Sequence, residues 1–322
     1  NIQVNVGSSS TGATIGNNAV VKAWDSIGVT ADHNSTLVAV SPTVTLGSNS
    51  TAVGATVQTN ILGSTVKALI GDNANLIAYA QNSVTGGVQT SNRESKRKGI
   101  VLSALARDLV VAGGISASAG KNAVSGVVET FVNKIIVIAK LGANAVVTSG
   151  FQSGAAMDDA FAGNTASEQE GELSAEADAH STLVLFGGAF SATSSTGVGA
   201  TVLTLAYDKN VDAQILLSTT TPSNVHGNVN VTAEAEDLVA LVSVNFGVST
   251  DTAANVGGNV LIFQDKVNAN LTGNLIASGD VTVQAESIVD LINAIASVSG
   301  GLGGTAVSGT ALVTYFQGTT TA

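Results

Sequence analysis

Val53-Gly54-Ala55-Thr56-Val57 returns unchanged as Val198-Gly199-Ala200-Thr201-Val202. Five shared residues carry little weight in a chain of small side chains, but other series keep step with them. Ser35-Thr36-Leu37-Val38 returns as Ser181-Thr182-Leu183-Val184, each behind a shared pair, Ala31-Asp32 and Ala177-Asp178. Ile15-Gly16-Asn17-Asn18-Ala19, Ile70-Gly71-Asp72-Asn73-Ala74 and Leu141-Gly142-Ala143-Asn144-Ala145 form a third series. The chain is a degenerate repeat array, and a long fixed period means stacked copies of one supersecondary unit.

Two short marks set the unit. An apolar residue, then Ser, Thr or Gln, then Ala recurs as Val29-Thr30-Ala31, Leu102-Ser103-Ala104, Leu173-Ser174-Ala175, Val231-Thr232-Ala233 and Val283-Gln284-Ala285. Each is followed by a glycine (Gly54, Gly126, Gly199, Gly257 and Gly309), at gaps of 23, 22, 24, 24 and 24 residues. The units measure 73, 71, 58 and 52 residues from Ala to Ala, so the variation lies after the glycine. Segments 82–99 and 153–171 account for most of it. Gly, Ser, Asn and charges replace the apolar pattern there, which predicts two inserted surface loops. The shortest unit is read as two coils of about 25 residues, predicting roughly 10–12 rungs and a rod about 50–55 Å long. Gly63-Ser64-Thr65 laid over Gly318-Thr319-Thr320 places both ends in mid-unit, so residues 1–322 read as one window on a longer array.

Each unit is built of strands. Val281, Val283 and Ala285 alternate with Thr282, Gln284 and Glu286, and Val229, Val231 and Ala233 alternate with Asn230, Thr232 and Glu234. That is the period of a half-buried strand. Ile288 to Ala296 and Leu238 to Val248 alternate less cleanly but lead into glycine pairs at a fixed place in the repeat, and they too read as strands. Their apolar residues on both faces imply a second layer, either a further sheet or another chain. The fold expected is all-β: a parallel β-solenoid of five degenerate units. Stacking sets like positions about 4.8 Å apart, so inward places should favour small side chains and send charges outward into the loops.

Composition agrees and narrows function. Apolar types make up 44% of the 322 residues, but aromatics only 4% and charged residues 11%, against about 25% charged in ordinary domains. Disordered chains are rich in charge and poor in apolar residues, the reverse of this one. With no Cys, disulfides and thiolate metal sites are excluded, and a net charge of −11 disfavours nucleic acid as a partner. The most apolar stretch, Phe131 to Val147, is interrupted by Lys134 and Lys140 and falls short of the roughly 20 residues of a spanning helix. No membrane insertion of this segment is expected.

The Val-Gly-Ala-Thr-Val repeats, Ile-Gly-Asp-Asn-Ala (70–74) and Val-Thr-Val-Gln-Ala-Glu-Ser (281–287) resemble passenger repeats of very large Gram-negative surface proteins. These are the leukotoxin-like and autotransporter-adhesin group. The similarity covers nearly the whole chain outside the two loops. It implies type V secretion, display on the bacterial cell surface, and adhesion or fibre formation, with a host surface, a neighbouring cell or copies of the chain as partner. It carries over no catalytic residue.

The candidate interaction residues lie in the inserted loops. Arg93, Lys96, Arg97 and Lys98 form a basic cluster in the first, and Asp158, Asp159, Glu168, Glu170 and Glu172 an acidic one in or beside the second. Both occupy the same half of successive units, so they are expected to emerge side by side as opposite charges. No catalytic or cofactor site is read. His33, His180 and His226 share no register, and Gly300-Gly301-Leu302-Gly303-Gly304 lacks the Lys-Ser/Thr of a phosphate loop and reads as a turn. Asp72, Asp251 and Asp280 are weak calcium candidates in turns. The leading functional expectation is an adhesin stalk. A self-assembling filament or matrix subunit stands second, and a β-helix polysaccharide-acting enzyme third.

Overall fold

The structure, a computed structural model, describes residues 1–81, 87–90 and 96–322. It is all-β, with thirteen strands: β1 (Ile2–Ile15), β2 (Val20–Ala23), β3 (Ile27–Leu46), β4 (Thr51–Ile70), β5 (Asn75–Ala78), β6 (Gly99–Ser149), β7 (Glu172–Leu217), β8 (Ser223–Val225), β9 (Val229–Ser249), β10 (Thr252–Thr272), β11 (Leu275–Ala277), β12 (Val281–Gly301) and β13 (Thr305–Thr321). All named strand pairs are parallel, and they stack into three faces. Face A holds β3, the first part of β6, the first part of β7, β9 and β12. Face B holds β1, β4, the rest of β6 and β7, β10 and β13. Face C is narrow and holds β2, β5, the end of β6, β8 and β11. The chain runs A, B, C and repeats, which makes it a parallel β-solenoid. Ile288 to Ala296 and Leu238 to Val248 lie within β12 and β9.

The repeats define the register. Val53 stacks on Val124 and Val198, and Val57 on Val128 and Val202. Ser35 stacks on Asp108 and Ser181, and Ile15 on Ile70, Leu141 and Ile215. One sequence mark slips by two residues: Ala177, not Ala175, completes the column Ala31, Ala104, Ala233 and Ala285. A slip of two preserves the face, so the alternation hides it.

The expected rung count is corrected. Each unit makes one wide coil, because β3 and β4 each run 20 residues without a turn. Face B stacks six strand levels, hence a body about 24 Å tall and roughly 65 Å across. The five marker glycines all sit a few residues past the A–B corner. At Gly54 a Cβ would lie 2.8 Å from Ser118 Oγ and 3.0 Å from Ser116 Oγ, because faces A and B converge there. Glycine at that position answers close approach, not a turn.

The true turns lie elsewhere. Asn18, Asn73 and Asn144 adopt φ of 56, 55 and 57° at the corner between B and C, the left-handed region that Asn tolerates. Asn17 Oδ1 accepts from the Asp72 N–H at 2.9 Å, and Asp72 Oδ1 from the Ala143 N–H at 2.8 Å, so each turn clips the next. The corner between A and B at the last coil is Leu302-Gly303-Gly304, within the glycine run read as a turn.

The interior has two zones. Near face C it is apolar, built from Ile70, Leu76, Ile100, Leu102, Leu141, Leu173 and Ile215. Toward the A–B corner it becomes polar: Thr43 meets Thr56 at 2.8 Å, Thr201 donates to Asn245 at 2.6 Å, and Ser243 donates to Asn259 at 2.8 Å. The gap there admits only small side chains, and their polar atoms pair across it. The expectation that charges avoid inward positions is also corrected. Asp108, Glu129, Lys209, Asp237 and Asp265 all point inward and are buried. No two of them adjoin in one column except Lys209 and Asp265, which carry opposite sign, so stacking brings no like charges together. Tyr207, Phe263 and Phe316 form an inward aromatic stack, at 4.8 and 5.3 Å between ring centres.

Candidate interaction surfaces

The corner from C to A takes three residues where nothing is inserted, as in Trp24-Asp25-Ser26, His226-Gly227-Asn228 and Ser278-Gly279-Asp280. Two successive coils insert residues 79–98 and 150–171 at this corner, so the two loops leave the solenoid side by side. In the first, Val88 and Arg97 pair in an antiparallel bridge, which aims the guanidinium along the outer face of β7. Arg97 Nε lies 3.2 Å from Glu172 and Nη1 2.5 Å from Glu176, with Ser174 Oγ also accepting from Nη1. Lys96, Lys98 and Glu170 line the same cleft, of about 350 Å³, floored by Gly227 and Asn228.

The second loop is fastened differently. Phe151 and Gln169 bridge its base. Asp158 caps a 3-10 turn, Asp159–Phe161, and Asp159 opens that turn. Lys22 reaches Asp158 at 2.8 Å, and this hydrogen bond, with that from the Ala160 N–H, holds the carboxyl below its ordinary range. Glu168 faces His226 at 3.4 Å. Trp24, Tyr79, Phe151 and Phe161 pack beneath, at 5.2 to 6.2 Å between ring centres. The loop roofs a groove of about 480 Å³ along face C, lined by Ile77, Met157, Asn224 and Ile276.

Of the residues singled out in the sequence, then, Arg97 meets Glu172, and Lys96 and Lys98 share a cleft with Glu170. Asp158 turns to Lys22 and Glu168 to His226. Arg93 lies outside the described residues. Glu176 and Lys22 were not legible as partners, although Glu176 shares the outward parity of Glu172 on one strand. His33 meets Ser9 and His180 meets Glu236, in separate places. Asp72, Asp251 and Asp280 sit at three different corners, and no group of three or more His, Cys, Asp or Glu is gathered for a metal among the described residues.

A broad part of the described surface is apolar. Near the A–B corner the outward columns of face A carry Val38, Val40, Val44, Leu46, Ile115, Phe190, Val242, Val244, Phe246 and Val298, and Val38 is 66% exposed. Face B continues the patch around the corner with Val53, Val57, Ile61, Val124, Val128, Val202 and Val256. Five outward columns over five coils make roughly 700 Å² on face A alone, above the 300–600 Å² patch usual for a monomer. The outward positions nearer face C are polar: Asp32, Arg107, Asp178, His180, Glu234 and Glu286 on A, and Lys67, Lys134 and Asp208 on B. The corner half of the coil is therefore polar inside and apolar outside, the inverse of the half near face C.

Glu129 marks the boundary inside. It stacks beneath Gln58, and neither of its carboxyl oxygens has a hydrogen-bond partner. Burial raises its pKa from 4.5 to about 8, so at neutral pH it holds a proton. Among the described residues no helix is long and apolar enough to cross a membrane.

Fold and surfaces define the class: a parallel β-solenoid with two loops inserted at one corner and a bare apolar edge at another. No protein-family model, curated protein or solved structure matches the chain.

Proposed function

We propose that this chain is a non-catalytic structural segment of an extracellular β-solenoid that assembles laterally with copies of itself through the apolar edge. The observation that carries the reading is the inversion at the A–B corner, where Val44, Leu46, Phe190 and Phe246 face solvent while serines, threonines and asparagines fill the inside. An outer face this apolar is held in water at a cost of about 25 cal/mol per Å². Its area approaches the roughly 800 Å² per partner of a standard interface. A repeated flat face also suits multivalent contact, in which weak contacts add along the stack. The resemblance to adhesin passenger repeats supports display at the bacterial surface.

An adhesin stalk is the second reading, favoured by the charged cleft of Lys96, Arg97, Lys98 and Glu170, which sets distinct chemistry on one edge of every copy. Light scattering with negative-stain imaging separates the two. Regular polymers or sheets that form with concentration support lateral assembly, whereas single monomeric bodies at all concentrations favour the stalk.

A further inference from the structure

Lys209, on the face B part of β7, points into the core, and its Nζ lies 2.5 Å from Asp237 Oδ1 on β9, in face A of the next coil. Neither side chain has any exposed surface. Nζ also donates to the Ala179 carbonyl at 3.2 Å. The Tyr207 hydroxyl lies 2.8 Å from the same Asp237 oxygen and 2.8 Å from Ser181. The other oxygen, Oδ2, has no hydrogen-bond partner. Asp265 faces Lys209 from the neighbouring strand of face B and is itself buried, with Ser287 on one oxygen and no partner on the other. The Tyr207 and Phe263 rings stack beside the pair.

An amine touching a carboxyl in a dry core has two outcomes. It remains a buried ion pair, whose desolvation cancels much of its attraction, or it condenses. We propose that Lys209 and Asp237 condense into an intramolecular isopeptide bond that ties face A to face B across the core. In the step, one proton passes from the ammonium to the carboxylate across the 2.5 Å contact. The neutral Nζ attacks Cγ of Asp237, and the Nζ–Cγ bond forms. The bond from Cγ to the unpartnered oxygen breaks, and that oxygen leaves as water with one proton from the amine and one from the acid. No oxidant or cofactor enters the balance. Tyr207 donates to the oxygen that remains, where charge builds in the tetrahedral intermediate. Asp265, whose carboxyl burial holds in its protonated form to higher pH, relays protons to the departing oxygen. Fixed contact lowers the barrier, for held reactants reach effective concentrations of about 10⁵ M or more.

Intact-mass spectrometry of the purified, folded chain tests this without any ligand. The mass is expected one water below that of the sequence, persisting in denaturant, with a branched tryptic peptide joining the Lys209 and Asp237 segments. Lys209→Arg should restore the full sequence mass. Asp237→Asn should lose ammonia instead of water and arrive at the same final mass as the wild type. Asp265→Asn keeps both reactants and should leave much of the chain uncondensed at equal age. A wild-type chain that is folded by circular dichroism yet carries its full sequence mass overturns the proposal, whatever the variants do.

Discussion

Arg97 holds the carboxylate of Glu176 from the neighbouring coil, Nη1 to Oε1 at 2.5 Å, and leaves it 1% exposed. Glu176 points outward from β7, so without the loop over it the carboxylate would be in water. The loop turns a surface carboxylate into a buried one and then supplies its counter-charge. Exposed ion pairs contribute at most about 1 kcal/mol, but removing one partner of a buried pair costs far more.

Arg97→Ala is therefore expected to destabilise the chain by about 3 kcal/mol, read as a shift in the urea midpoint. The double variant Arg97→Met, Glu176→Met should recover most of the loss, since it removes the charge along with its partner. Equal loss in the single and double variants would show that packing, not charge, holds the loop.

The left-handed corner offers a cleaner backbone test. Asn73 sits at φ 55° between Asn18 and Asn144 in the same turn of adjacent coils. Asn73→Gly should change stability by a few tenths of a kcal/mol, whereas Asn73→Val should cost about 1–2 kcal/mol because a β-branched side chain resists that conformation. Thermal melts of the two variants distinguish them. A valine variant as stable as the glycine one would mean that the turn relaxes freely.

These residues also show what was legible. Asn18, Asn73 and Asn144 stand in a repeated five-residue motif, and the Val53 and Val198 motifs stack in the register their identity gives. Stacked copies meet like surroundings, so their sequences stay alike. Coil length was hidden because polarity changes sides in mid-strand. On β3, Val29 and Ala31 face inward, but Val38, Val40 and Val44 face outward. A phase flip of that kind reads as two strands with a turn between, and the glycines beyond the corner strengthen the misreading. The core pair was hidden for another reason: Lys209 is a single lysine in a column of Ser64, Ile135 and Asp265, and Asp237 shares its column with Asp108 but with Ser181 between them, so nothing periodic announces the pair.

Glu129 should give the stability a pH slope. Its folded pKa, about 8, exceeds the unfolded value of 4.5, so between these limits the native state binds more protons than the unfolded one. Stability is thus full below pH 4.5 and falls as pH rises through 8, by up to about 5 kcal/mol. Glu129→Gln keeps the shape and removes the titration. It is expected to flatten the slope from acid to neutral pH and to raise stability at pH 8, as measured by denaturant unfolding at several pH values. An unchanged slope would assign the dependence to other groups.

The apolar edge yields the assembly test. Phe246 is 45% exposed on face A, beside Phe190 and Val298 in adjacent coils. Because the ring points away from the core, Phe246→Lys should change unfolding free energy by no more than about 1 kcal/mol. Placed at a shared interface, however, an unpaired charge must be desolvated on every contact. Association of the lysine variant, followed by light scattering over a concentration series, should weaken at least tenfold, and Phe190→Lys should do the same. A lysine at Thr65, outward on face B beyond the apolar columns, is the control and should leave association unchanged. If Phe246→Lys and Thr65→Lys associate alike, the contact lies elsewhere, and the apolar edge must be covered by a partner other than a second copy.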